Sequence, residues 1–96
     1  MSRVADAPLE PKGYQQLTIS TTAVSLTVPE GARYALMKLN DANLFRWRDD
    51  GTDPTSTVGM PLPDTVDEFF YTGKLKRFRA IRSGGTDAIL NISYYA

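Results

Sequence analysis

Residues 23–31, Ala-Val-Ser-Leu-Thr-Val-Pro-Glu-Gly, decide the fold class. Val24, Leu26 and Val28 alternate with Ala23, Ser25 and Thr27, a period of two that fits a strand with one face turned inward. Pro29-Glu30-Gly31 ends the run, because proline presets φ for a turn and glycine accepts a positive one. Just upstream, Leu17 and Ile19 alternate with threonine, so a strand beginning at Tyr14 precedes this one.

Working toward the C-terminus, Tyr34 to Leu39 and Leu44 to Arg48 flank Asn40-Asp41-Ala42-Asn43, which reads as a hairpin with a short polar loop. Residues 49 to 63 hold aspartates, threonines and three prolines, too many breakers for a regular element, and form the longest loop. Glu68 to Tyr71, Leu75 to Arg82 and Ala88 to Tyr95 supply the last strands, separated by Thr72-Gly73 and Ser83-Gly84-Gly85-Thr86. The one helical competitor, Asp64 to Phe70, is crowded with β-branched and aromatic residues and is cut off by Gly73, leaving room for a single turn at most. About seven or eight short strands result, and the expectation is an all-β protein, an antiparallel β-sandwich of jelly-roll or immunoglobulin-like type.

The first 13 residues, MSRVADAPLEPKG, show no apolar periodicity and cannot bury enough surface to order themselves, so they read as a flexible N-terminal arm on a single domain spanning 14–96. They also lack the apolar core of a secretory signal. With 96 residues the chain holds one domain, and surface scaling allows only about two thirds of its surface to be buried. No apolar run approaches the roughly 18 residues that would span a bilayer, so no membrane partner is expected.

The absence of cysteine removes disulfides, thiolate nucleophiles and sulfur-ligated zinc. The absence of histidine removes the usual general base and the commonest metal ligand. An enzyme would have only carboxylates and hydroxyls to work with, and no catalytic residue, cofactor or metal site is expected. Asp49, Asp50 and Asp53 around Gly51 lack the spacing of a calcium loop and have no later glutamate to close one, so they read as an Asp-Gly turn whose carboxylates cap backbone amides. Asp67-Glu68 specifies no glycosidase cleft.

Eleven basic and eleven acidic residues cancel, so nucleic-acid binding would need a local patch. Lys74, Lys76, Arg77, Arg79 and Arg82 form the one cationic cluster, with Asp64, Asp67 and Glu68 close enough upstream to neutralise it. A charged sheet edge facing solvent or an acidic protein is the expectation there, not a phosphate backbone. Trp47 shares a strand face with Phe45, and Arg46 and Arg48 share the other, which puts the lone tryptophan in the core or at an interface. Tyr14, Trp47, Tyr94 and Tyr95 could alternatively stack on sugar rings.

The stretches RWRDDGTDPTSTVGMPL, FFYTGKLKRFRAI and LNISYYA resemble a recurring type of small structural protein of tailed-phage particles. The resemblance covers residues 14 to 96 and implies a virion component, a decoration or cement protein that is made in the host cytoplasm and braces the major capsid protein on the outer capsid surface. A homotrimer at local three-fold positions would suit such a module, since repeated weak contacts gain by avidity. Interface candidates are Arg3 and Leu9 in the arm, Arg46, Trp47, Arg48, Asp50, Thr52 and Pro54 around the long loop, and Lys74, Lys76 and Arg79 in the cationic cluster. The alternative is a carbohydrate-binding or attachment module of a tail or fibre.

Overall fold

A computed structural model of the chain describes residues 8–41, 43–62 and 68–96. It contains eight strands: β1 (Pro11–Ile19), β2 (Val24–Ser25), β3 (Tyr34–Leu39), β4 (Phe45–Arg48), β5 (Met60–Leu62), β6 (Phe69–Tyr71), β7 (Arg79–Arg82) and β8 (Ala88–Tyr95), with one 3-10 turn at Leu75–Arg77. They form two four-stranded sheets, β1-β8-β3-β6 (sheet 1) and β2-β7-β4-β5 (sheet 2). Every paired strand is antiparallel.

The pairs β1·β8, β2·β7, β3·β6 and β4·β5 nest one inside another, as if a single long hairpin had been rolled up, and β3·β8 and β4·β7 then close each sheet. That is the connectivity of a jelly roll, the first of the two sandwich topologies expected from the sequence. Between the sheets lie Ile19, Ala35, Met37, Phe45, Phe78, Ala80, Leu90, Ile92 and Tyr94, all fully buried. An aromatic cluster ties the layers together: Trp47 of sheet 2 stacks on Phe78 with ring centroids 5.3 Å apart and meets Phe69 and Tyr71 of sheet 1 at 5.6 Å each.

Several expectations need correction. Tyr34–Leu39 and Phe45–Arg48 are not a hairpin: β3 belongs to sheet 1 and β4 to sheet 2, so the two consecutive strands lie in different layers. A short polar loop serves an arch as well as a hairpin, and the alternation on either side is the same in both. The sequence 49–63 is not all loop, because β5 at Met60–Leu62 pairs with β4. Lys74, Lys76 and Arg77 do not lie on a strand, since a 3-10 turn interrupts the expected run and β7 begins only at Arg79.

The arm also ends earlier than its composition suggests. Pro11 and Gly13 pair with Tyr95 and Tyr94 across a bulge, and Glu10 and Ala96 exchange both backbone hydrogen bonds at 2.7 and 2.9 Å. The long β8 offers a full row of amide and carbonyl partners that local composition does not reveal. Arg3 and the 64–67 part of the helical competitor lie outside the described residues, and the competitor's last two residues, Phe69 and Phe70, are in β6.

Candidate functional site

The long loop closes on itself. Arg48 holds Asp50 through two hydrogen bonds, Nε to Oδ1 at 3.0 Å and Nη2 to Oδ2 at 2.6 Å, and the Thr52 amide donates to the same carboxylate at 3.4 Å. The Arg48 hydrogen bonds, helped by the Thr52 amide, lower the Asp50 pKa to about 2. Asp53 takes the Arg79 guanidinium at 2.9 Å. Asp49 accepts the Tyr71 hydroxyl from across the sandwich. The three carboxylates are thus committed to three different partners. Pro54 is buried, and Arg46 donates to the Gly59 carbonyl at 2.9 Å, so the loop lies over the outer face of sheet 2.

These contacts show what the sequence-predicted interface residues do. Arg46, Arg48, Asp50, Pro54 and Arg79 hold the loop, Trp47 packs against the core, Thr52 is exposed on the loop, and Leu9, Lys74 and Lys76 are exposed elsewhere. Of the four aromatics considered for sugar stacking, Trp47 and Tyr94 face inward, which leaves Tyr14 and Tyr95.

The outer face of sheet 1 has no such cover among the described residues. One rung across it runs Tyr14, Ser93, Leu36, Phe70, and the neighbouring rung pairs Tyr95 with Tyr34. Tyr14 is 64% exposed and Phe70 46%. The Tyr34 and Phe70 rings lie nearly parallel, 20° apart with centroids at 5.9 Å, which makes a flat aromatic platform. The next rung is polar: Asn91 accepts from Tyr14 and from Gln16 and donates to Asn40 at 2.6 Å.

Sequence reasoning passed over Leu36, Tyr34 and Phe70, yet a signal was there. A half-buried antiparallel strand alternates apolar with polar, whereas Tyr-Ala-Leu-Met at 34–37 and Phe-Phe-Tyr at 69–71 are apolar at consecutive positions. Ala35, Met37 and Tyr71 fill the core. Their neighbours therefore present a second apolar face, and a second apolar face calls for a second partner.

Two tyrosines give the fold a pH dependence. Burial pushes Tyr94, whose hydroxyl donates to Gln15 at 2.7 Å, up to about 12. Burial and the Asp49 carboxylate raise Tyr71 as well. Both phenols are favoured neutral in the folded state, so this contribution is intact below the unfolded value of about 10 and is lost as pH rises through the folded values. We expect the melting temperature to fall above about pH 10 and these phenols to ionise together with unfolding, followed by phenolate absorbance and near-ultraviolet circular dichroism. Phenolate absorbance for all five tyrosines below about pH 11, with the dichroism unchanged, would contradict this.

The fold and its surfaces define an all-β sandwich with one covered and one open outer face. No protein-family model, curated protein or solved structure matches this chain. Among the described residues no group of His, Cys, Asp or Glu could hold a metal ion, and no helix is long and apolar enough to cross a membrane.

Proposed function

We propose that this chain is a non-catalytic structural module of a phage particle, a capsid decoration or cement protein that seats the open face of sheet 1 on coat subunits at the outer capsid surface. The observation that carries the reading is the pair of strands β3 and β6, apolar on both faces but packed against the core on only one. Exposed aromatic and aliphatic groups in contiguous rungs are what a protein interface uses for area, with Tyr and Phe supplying contact at low entropic cost. The resemblance of residues 14–96 to small tailed-phage structural proteins supplies the setting. Jelly rolls recur in viral capsids and in lectins, which supports the reading by fold analogy alone.

A shell under internal pressure is braced best by many copies, and a homotrimer would multiply modest contacts through avidity. Cosedimentation with empty particles that lack this chain tests the reading. Saturable binding at a fixed ratio to coat subunits is expected, with light scattering giving the number of chains per module. The Gln16, Asn91 and Asn40 amides beside Tyr14 favour a second reading, a saccharide-binding attachment module, because such amides beside aromatic rings suit hydroxyl-rich ligands. No binding to particles together with glycan binding lost in Tyr14→Ala would establish it instead.

A further inference from the structure

At the rim of the open face, where β3 begins and the chain leaves β6, residues 32–34 and 72–75 enclose a cleft of about 460 Å³. That volume lies within the range of small-ligand sites. Arg33 and Lys74 line it, with Tyr34 and Thr72 beside them. Gly73 fixes the wall of the cleft that backs onto Tyr71. A Cβ there would lie 2.6 Å from the Tyr71 ring, so no side chain can be added without displacing the tyrosine that donates to Asp49. The Arg33 amide is fixed to the Tyr95 carbonyl at 2.8 Å, which anchors that side of the cleft to sheet 1.

The charge here is unbalanced. Lys12, Arg48, Arg79 and Arg82 each have a carboxylate within 4 Å: Glu10, Asp50, Asp53 and Asp87. Among the described residues Arg33 and Lys74 have none, and neither do Lys76 and Arg77 on the adjoining 3-10 turn. Among the described residues this is a local cationic excess that an anionic group would complete. A guanidinium paired with an ammonium suits a carboxylate well, since arginine can grip both oxygens while lysine adds a point charge.

We propose that this cleft receives an aspartate- or glutamate-bearing segment of the protein on which sheet 1 docks. Tyr34 belongs to both the cleft and the aromatic platform, so one partner surface can cover the platform and place an acidic residue between Arg33 and Lys74. The apolar rungs give contact area and the charged cleft fixes orientation and speeds association. A phosphate backbone fits less well, because the cleft is a single pocket and not a track of cations.

The identity of the partner rests on the docking reading; the preference of the cleft for a carboxylate does not, and it can be measured without particles. Titration of the full chain with a hexaglutamate peptide, followed by amide NMR, should give saturable shifts centred on residues 32–34 and 72–75. R33Q/K74Q should weaken the peptide at least about tenfold, and K76Q/R77Q should do so less. Shifts centred elsewhere, unchanged affinity in R33Q/K74Q, or tighter binding of oligothymidylate or trigalacturonate would overturn the proposal. Peptide binding at the cleft without cosedimentation would sink the docking reading alone. Normal cosedimentation without peptide binding would sink the cleft proposal alone.

Discussion

Phe78→Ala is expected to cost about 3–5 kcal/mol of folding stability, the range for removing a large aromatic from a packed core. Phe78 is fully buried just beyond the 3-10 turn, stacked on Trp47 and edge-on to Tyr71 at 5.2 Å. It fills the junction where the two sheets meet, so its loss opens a cavity bordered by both. Trp47 cannot collapse into that space while Arg46 and Arg48 on either side remain tied to the loop. A domain of this size has a total stability of about 5–15 kcal/mol, and the variant should melt roughly 15–30 °C lower or fail to fold at physiological temperature. Phe78→Leu keeps much of the volume and should cost about 1–2 kcal/mol. A loss below about 1 kcal/mol for the alanine variant in a denaturant titration would mean that the aromatic cluster does not join the layers.

The second large effect falls on binding. Phe70→Glu is expected to abolish association with particles at concentrations that saturate the wild type, a loss of affinity of about 100-fold or more, as for central hot-spot residues. The phenyl ring is replaced by a carboxylate that would have to be desolvated on docking beside Leu36 on its own rung and Tyr34 on the next, with Lys38 one rung away on the other side. The fold should survive, because Phe70 points away from the core and loses only its stack with Tyr34, a cross-strand pair worth about 0.2–1 kcal/mol. Thermal melting on the same sample separates the two effects.

Much of the sandwich was legible in the residues. Ala88–Tyr95 could be placed to the residue because alternate positions are small or large apolar groups facing one way, and β3 likewise. Which strands pair could not be read, since alternation assigns faces and not neighbours. The change of sheet between β3 and β4 shows why: the Asn and Asp residues that separate them in sequence would serve either connection, and only the closure of two separate sheets selects between them. The 3-10 turn at Leu75–Arg77 was hidden for a related reason, as Leu75 and Phe78, three apart, are both buried and look like part of an ordinary apolar run.

The candidate site was less legible. Arg46, Arg48 and Asp50 stood out because they are charged and close in sequence, yet that closeness lets Arg48 and Asp50 satisfy one another inside the loop, while Arg46 turns to the Gly59 carbonyl. Arg33 is remote in sequence from Lys74 and meets it only because β3 and β6 pair. Tyr34, Leu36 and Phe70 carried their signal in the absence of alternation, a pattern easily taken for ordinary core.

The central claim is that sheet 1, not the loop-covered sheet 2, is the docking face, and it is tested most directly by cosedimentation of Phe70→Glu beside Met60→Glu. Met60 is 57% exposed at the β5 edge of sheet 2, beside its cross-strand partner Trp47, so its variant places the same charge on the other layer and off the outer face of sheet 1. The account predicts wild-type saturation for Met60→Glu and no detectable binding for folded Phe70→Glu. Binding retained by Phe70→Glu and lost in folded Met60→Glu would contradict it.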